Sequence, residues 1–182
     1  MNTQLSKKRK IVITILFIIL FAIIIFSFAF VIYRHTFSKS ENISRLAKRD
    51  ECIVKEVNEV NFNEYLHDKK NLVIFFSTTC SHCVSDAENI TKFMNENKDI
   101  PIIMVSHDTD INNLNAYLEK FEYNWFVIRD PEKTIRASID EGESGIPSFY
   151  LLDENGNIIN KHKGELTFDE LVEFYNNKNL EE

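Results

Sequence analysis

Beyond residue 50, the chain alternates short runs of consecutive apolar residues with longer segments in which apolar positions recur every three or four residues. The apolar runs predict strands, several of them buried on both faces, and the three-to-four spacing predicts amphipathic helices. The predicted strands are 52–57, 72–76, 101–106, 125–128, 146–152 and 158–162, and the predicted helices are 61–66, 80–97, 110–121 and 167–175. Strands that alternate with helices predict a mostly parallel sheet covered by helices on both faces.

The end of this pattern predicts a hairpin followed by a last helix. The segment 153–157 is rich in turn residues, and Gly156 stands where a hairpin turn needs a positive φ. Thr167 and Glu170 have the spacing of a capping box, which begins a helix. The hairpin would therefore add antiparallel strands to an otherwise parallel sheet.

The N-terminal part of the chain has a different pattern. Residues 11–33 form an uncharged apolar stretch of 23 residues, directly preceded by Lys7-Lys8-Arg9-Lys10. Such a stretch is long enough to cross a bilayer as a helix, and the basic cluster keeps its N-terminal side in the cytoplasm. The alternative is a cleaved secretory signal, although the stretch is longer than the apolar region of a typical signal. Either interpretation places the following domain outside the cytoplasm.

The expected organisation has four parts, with the chain crossing the cell membrane once. Residues 1–10 are a cytoplasmic N-terminus, 11–33 a transmembrane anchor, 34–50 a polar tether and 51–182 an extracytoplasmic folded domain. Beyond residue 35 the chain carries 16 Lys and Arg against 28 Asp and Glu, a net charge of −12. An acidic exported domain of this kind is not expected to bind nucleic acid.

Two of the three cysteines, Cys80 and Cys83, are separated by two residues at a predicted strand-to-helix junction. The positive end of the helix dipole favours ionisation of the first thiol, and a thiolate is the species that attacks a disulfide. The pattern predicts a redox dithiol in which Cys80 is the nucleophile and Cys83 the resolving thiol. The alternative is a zinc site completed by Cys52, His82 and His107, but zinc sites usually contain a second cysteine pair. We therefore expect neither a metal nor a bound cofactor.

Several blocks of the sequence resemble the membrane-anchored thioredoxin-like proteins of the TlpA/ResA type. They are Val73–Cys83, Asp130–Glu132, Gly145–Gly156 and Gly164–Thr167, within a resemblance that covers about residues 55 to 178. The resemblance implies a thioredoxin-like α/β fold: a central mixed sheet flanked by helices, with an extra βα unit inserted and one N-terminal transmembrane helix. It also implies a protein thiol-disulfide oxidoreductase whose substrates are exported proteins with cysteines or disulfides, and whose thiols a membrane redox partner protein resets.

The resemblance gives Pro147 a role beside the dithiol. A cis bond before Pro147 would leave the preceding backbone free to pair with an extended substrate segment near Cys80, whereas the alternative is a trans proline at the start of a strand. We expect Gly145, Ile146 and Thr79 to contact the substrate.

Three departures from the family pattern bear on the reaction. Thr79 replaces the usual Trp before the first cysteine, and Ile74 replaces the buried Asp that serves proton transfer in thioredoxins, so that role falls to water or another carboxylate. His82 precedes the second cysteine, as in oxidising proteins of the DsbA type, whereas reducing relatives more often have Pro there.

His82 thus leaves the direction of the reaction open. It could stabilise the Cys80 thiolate and make the disulfide more oxidising, or be an exposed bystander. The family favours reduction of exported proteins. The alternatives are a disulfide-forming oxidase and a non-catalytic accessory protein that handles metal or binds peptides.

Overall fold

The computed structural model describes residues 14, 16–34 and 53–176. The predictions for residues 1–10, for most of the tether and for Cys52 lie outside these residues. The chain forms two compact units, 1–40 and 41–182, which we describe separately. In the first unit, helix α1 spans Leu16–Arg34, with a mean hydropathy of 3.0 and none of its residues buried. Nineteen helical residues extend about 28 Å, close to the thickness of a bilayer core. A signal sequence would share this length and composition.

The second unit contains a six-stranded sheet with the order β1-β4-β3-β2-β5-β6. The strands are β1 Ile53–Glu56, β2 Asn71–Phe76, β3 Ile102–Ser106, β4 Phe126–Arg129, β5 Ser148–Leu152 and β6 Ile158–Lys163. The first four strands in this order are parallel neighbours, while β5 pairs antiparallel with β2 and β6 antiparallel with β5. The predicted mixed sheet with a closing hairpin is confirmed.

The helices of this unit are α2 Ser81–Glu96, α3 Ile111–Lys120, α4 Thr134–Ile139 and α5 Phe168–Tyr175. Two short 3-10 turns, Val57–Glu59 and Phe62–Tyr65, take the place of the helix predicted at 61–66. The side chain of Asp110 caps α3 by accepting a hydrogen bond from the N–H of Asn112. The capping box at the start of α5 is present as predicted. Gly156 in the hairpin turn has the expected positive φ, +84°.

Helix α4 was not predicted from the sequence. It begins because the Asp130 carboxylate accepts hydrogen bonds from the N–H groups of Thr134 and Ile135 and from the Thr134 hydroxyl. The helix has only six residues, too few to show an apolar period. A capping residue four positions before the helix was the one local signal available.

Strand β2 lies in the interior of the sheet and is buried along its whole length. Leu72, Ile74 and Phe76 face the core beneath α2, α3 and α5, while Val73 and Phe75 face the core on the other side. The prediction of a strand buried on both faces is confirmed. Full burial of one such side chain contributes roughly 1.5–3 kcal/mol, so the end of β2 is a rigid base for the residues that follow it.

Candidate active site

Cys80 stands at the N-terminus of α2, four residues after β2 ends. It is the N-cap residue, and its Sγ accepts a hydrogen bond from the N–H of Cys83 at 3.4 Å. Sγ therefore lies at the positive end of the helix dipole, which favours negative charge on sulfur. Cys80 is partly exposed, so a substrate can reach it. These are the properties that an attacking thiolate requires.

Cys83 lies one turn further along the same helix and is 1% exposed. Burial, above all, and then the hydrogen bond with Cys80 raise the pKa of the Cys83 thiol far above its ordinary value. The charge of nearby Asp86 acts in the same direction. Cys83 is therefore a protonated thiol at neutral pH and must transfer its proton before it can attack a disulfide.

Asp86 is a site residue that the sequence analysis missed. It is 1% exposed and lies on the buried face of α2 together with Cys83, three positions after it. Its Oδ2 accepts a hydrogen bond from the N–H of Leu166 at 3.3 Å, and its Oδ1 one from the Asn89 side chain at 3.4 Å. Burial raises the pKa of Asp86 to about 6. A carboxylate at an apolar position of the helical stripe was the signal that could have revealed it.

The proline loop closes over the dithiol. The peptide bond between Ile146 and Pro147 is cis, as predicted. The Cys80 thiol donates a hydrogen bond to the carbonyl oxygen of Ile146 at 3.5 Å. Pro147 is buried, and its own carbonyl oxygen accepts a hydrogen bond from Gly164 at 3.0 Å. The structure thus brings Cys80, Ile146 and Pro147 together.

The other residues expected to contact substrate lie around this centre. Thr79 is exposed directly before Cys80, and Gly145 is partly buried before Ile146. A Cβ on Gly145 would overlap the Lys163 side chain, so glycine leaves room for that side chain beside the loop. Contact of these residues with a substrate stays a prediction.

Glu143 anchors the loop that leads to Pro147. Its carboxylate accepts hydrogen bonds from the N–H groups of Gly145 and Ser144 and pairs with Lys163. These hydrogen bonds lower the pKa of Glu143 to about 2, so it stays ionised and is a poor proton acceptor. Its hydrogen bonds fix the backbone that precedes Pro147.

His82 is exposed and pairs through Nδ1 with the carboxylate of Glu165, in the loop between β6 and α5. This hydrogen bond is the largest cause of a lowered pKa at Glu165. The hydrogen bonds of Cys80 Sγ join it to Ile146 and Cys83. An effect of His82 on the Cys80 thiolate stays a prediction. Any such effect would include the contribution of the Glu165 carboxylate that pairs with His82.

The segment Gly164–Leu166 forms a further part of the site that the sequence analysis did not assign. Its three consecutive residues contact three different parts: Gly164 binds the Pro147 carbonyl, Glu165 pairs with His82, and Leu166 donates to Asp86. One loop therefore connects Pro147, His82 and Asp86.

The alternative zinc site requires Cys52, which lies outside the described residues. Within residues 14, 16–34 and 53–176, no three His, Cys, Asp or Glu side chains come together as metal ligands. His107 is buried, and burial, followed by the charge of Arg136, lowers its pKa to about 4, so its ring is neutral. Its Nε2 is buried and has no hydrogen-bond partner in the described part of the chain.

Comparison with known proteins gives a family and a set of similar folds. The model of the Redoxin family matches residues 49–175. A search of curated proteins found no match. StoA from Bacillus subtilis has a similar structure, with a TM-score of 0.53 and 16% identity over 59% of this chain and 82% of StoA.

Two other solved structures extend this comparison. The thioredoxin domain of a thiol-disulfide oxidoreductase from Bacteroides vulgatus has a TM-score of 0.51 and 26% identity, covering 65% of this chain and 81% of that domain. The exposed lipoprotein thioredoxin of Streptococcus pneumoniae has a TM-score of 0.54 and 16% identity, covering 63% and 89%. These similarities confirm the thioredoxin-like fold. Because the family match spans nearly all of the described folded unit and includes both cysteines, the chain belongs to the Redoxin family and is a thiol-disulfide oxidoreductase.

Proposed function

We propose that this protein is a membrane-anchored, extracytoplasmic reductase of the TlpA/ResA type that reduces disulfides in exported proteins. The Cys80 thiolate attacks one sulfur of the substrate disulfide, and the other substrate sulfur leaves as a thiolate and takes up a proton. Cys83 then loses its proton and attacks Cys80 Sγ, which releases the reduced substrate. The products are a substrate dithiol and a Cys80–Cys83 disulfide. A membrane redox partner protein returns two electrons and two protons to complete the cycle.

The environment of Cys83 is the observation that carries the reducing direction. A dithiol is strongly oxidising when the protein stabilises its reduced form, which is usually achieved by stabilising a thiolate. Burial raises the pKa of the Cys83 thiol and keeps it protonated, so the reduced form has no second thiolate to stabilise it. The pairing of His82 with Glu165 also offsets the positive charge that would make the couple oxidising. Both features favour a reductase over a disulfide-forming oxidase.

Asp86 is our candidate for the proton acceptor of Cys83. A pKa of about 6 leaves most of the carboxylate ionised at pH 7 yet able to accept a proton. Asp86 lies one helical turn from Cys83 within the same buried region, and its charge influences the pKa of that thiol. In this chain Ile74 stands where thioredoxins have their buried Asp. Asp86 would supply the missing carboxylate from α2 instead of β2.

The substrate is proposed to bind as an extended segment beside the proline loop. Gly145 and Ile146 precede the cis-proline, and Thr79 precedes the nucleophile, so the three residues flank the reacting sulfur. The carbonyl of Ile146 is directed at Cys80 Sγ. A substrate that pairs with this backbone would bring its disulfide to the same sulfur.

The proposed arrangement in the membrane rests on α1 and its basic flank. Residues 1–10 would lie in the cytoplasm, 11–33 would cross the membrane once, 34–50 would be the tether, and 51–182 would be the active domain outside. The high hydropathy of Leu16–Arg34 supports the anchor. If it is correct, deletion of residues 1–35 gives a soluble, folded and active protein, while the full chain stays in the membrane pellet after carbonate washing. Release of the full chain by carbonate, or recovery of a shortened mature form, would favour a cleaved signal.

The direction of the reaction is tested by the reduction potential of the Cys80–Cys83 couple in thiol redox buffers. We expect a value below about −220 mV, nearer to thioredoxin than to DsbA. The reduced protein should reduce a disulfide-bonded test protein, and the oxidised protein should form disulfides in a reduced one slowly. A potential above about −150 mV with fast disulfide formation would assign the oxidase function instead. Binding of a metal ion by the reduced protein, without disulfide exchange, would favour the accessory function.

A further inference from the structure

The carboxylate of Asp108 is almost completely buried next to the turn that carries Cys80. Asp108 follows β3 and is 4% exposed. It accepts hydrogen bonds from four donor groups: the hydroxyls of Ser77, Thr78 and Ser106, at 2.9, 2.7 and 2.7 Å, and the N–H of Thr78, at 3.0 Å. A buried carboxylate with this many donors is held firmly and has no need of a cationic partner.

Three of these four donors belong to the turn between β2 and Cys80. The same turn is tied internally: the hydroxyls of Ser77 and Thr79 lie 2.9 Å apart, and the N–H of Cys80 donates to the carbonyl of Ser77 at 3.2 Å. Every residue from Ser77 to Cys80 is therefore bound either to Asp108 directly or to a residue that Asp108 holds. The turn is exposed in part and contains no apolar side chain, so hydrogen bonds must fix its shape.

Asp108 is itself fixed from the opposite side. Arg129 at the end of β4 donates to the carbonyl oxygens of Asp108 and Thr109, at 3.3 and 2.8 Å. Its Nε pairs with Glu56 at the end of β1, at 2.8 Å. The carboxyl ends of the four parallel strands are thus connected by polar contacts, and this network ends at the turn of the nucleophile.

We propose that Asp108 is a positioning residue for the dithiol: its carboxylate fixes the Ser77–Thr79 turn and thereby holds Cys80 Sγ at the N-terminus of α2. The hydrogen bond from Cys83 N–H to that sulfur depends on where the turn places Cys80. A turn that moves freely would leave the sulfur away from the helix end for part of the time. The nucleophile would then react more slowly, because reactivity depends on placement as well as on chemical type.

Loss of the Asp108 hydrogen bonds and loss of its negative charge should change the reaction rate of Cys80 in opposite directions. Removing a negative charge near a thiol makes ionisation easier and should speed its reaction. Releasing the turn makes the sulfur leave the positive helix end and should slow it. The neutral variant Asp108→Asn separates the two, since it removes the charge and weakens the hydrogen bonds while keeping the shape of the side chain.

The test measures the pH dependence of Cys80 alkylation by iodoacetamide in the reduced full chain in detergent, with the modified cysteine identified by peptide mass spectrometry. The variants are Asp108→Asn, Thr78→Val and Thr78→Ser. Asp110→Asn is the matched control, because Asp110 lies two residues further on, caps α3 and, in the described part of the chain, makes no hydrogen bond with the turn. Urea unfolding of each variant is measured in parallel.

We expect Asp108→Asn to lower the alkylation rate at pH 7 about tenfold and to move the midpoint of its pH profile upward. Thr78→Val should lower the rate in the same direction, Thr78→Ser should restore it because the hydroxyl returns, and Asp110→Asn should change it by less than about twofold. Faster alkylation in Asp108→Asn would overturn the proposal in favour of a direct charge effect. Unchanged alkylation in Asp108→Asn and Thr78→Val, with only lower stability, would leave Asp108 a purely structural residue.

Because alkylation reports on Cys80 in the isolated protein, this test does not depend on the direction of electron flow. A potential that assigned the oxidase function would leave the positioning role intact, and a failed alkylation test would leave the reductase proposal intact.

Discussion

The two cysteines of the dithiol lie three residues apart in opposite environments. Cys80 is partly exposed, at the end of a polar turn, and its sulfur meets a helix N-terminus and the carbonyl of the proline loop. Cys83 is buried on the apolar face of α2, where Tyr117 donates to its carbonyl and Asp86 is the nearby ionisable group. The helix N-terminus therefore supports a negative charge at Cys80, whereas burial opposes one at Cys83.

A short motif can therefore assign two different roles to its cysteines by geometry alone. The N-cap residue points away from the helix body, while the residue three positions later faces the core. The same type of side chain is thus a nucleophile at Cys80 and a protonated thiol that needs a base at Cys83. If these roles are correct, substitutions at or near Cys80 should produce a different defect from substitutions at or near Cys83, rather than a different degree of the same defect.

Replacement of either cysteine by serine gives the largest expected effect. Cys80→Ser should abolish disulfide exchange, because a serine hydroxyl does not replace a thiolate. Cys83→Ser should retain the attack and accumulate mixed disulfides with substrates, because release needs the second thiol. Non-reducing gels of both variants after incubation with a disulfide-bonded protein distinguish the outcomes. Full multiple-turnover activity of Cys83→Ser would show that the assigned roles are wrong.

Neutralising the buried carboxylate of Asp86 should affect only the step in which Cys83 attacks. Asp86→Asn should slow release of the mixed disulfide by about one to two orders of magnitude, because a positioned proton acceptor is lost. In the wild type, that rate should rise with pH through about 6 as Asp86 ionises, and this step should be absent in the variant. Rapid-quench measurements of single turnovers follow release, while Cys80 alkylation should change little. Glu88→Gln, an exposed carboxylate on the same helix, is the control; an equal effect there would contradict a specific role of Asp86.

Burial of Asp86 should also appear in the pH dependence of stability. Its pKa is raised from 3.8 to about 6, so the folded protein binds more protons than the unfolded chain between these pH values. The free energy of unfolding should therefore fall as pH rises from about 4 to above 6, by on the order of 2–3 kcal/mol from this group. Asp86→Asn should be more stable than the wild type at pH 7, with the gain disappearing near pH 4. Urea unfolding at both pH values measures the difference, and a constant difference would show that folding does not raise the pKa of Asp86.

The exposed pair of His82 and Glu165 should have the smallest effect. His82→Gln and Glu165→Gln should each shift the reduction potential by no more than about 30 mV, because an exposed ion pair contributes little. If His82 supports the Cys80 thiolate, removing it makes the couple more reducing. Equilibration with thiol redox buffers measures both variants. A larger shift in His82→Gln alone would restore an important role for this residue and weaken the argument for a reductase.

Local sequence signals were sufficient to predict much of the fold and of the candidate site. Consecutive apolar residues identified β2, β3 and β5 because the interior positions of a strand buried on both faces are apolar. The spacing of Cys80 and Cys83 after such a strand identified the dithiol, and Pro147 before another strand identified the proline loop. Helix α4 escaped because six residues are too few to show a period.

The residues that could react and the positions of the strands and longer helices followed from the sequence, because those properties depend on neighbours within a few positions. Tertiary structure alone decided which side chains meet: Asp86 with Leu166, 80 positions away, Thr78 with Asp108, 30 positions away, and His82 with Glu165, 83 positions away. No local pattern encodes these pairings, since each follows from the order in which strands are placed in the sheet. The burial that separates Cys83 from Cys80 arises in the same way, because a pKa responds to all the atoms packed around a group and not to its neighbours in the chain.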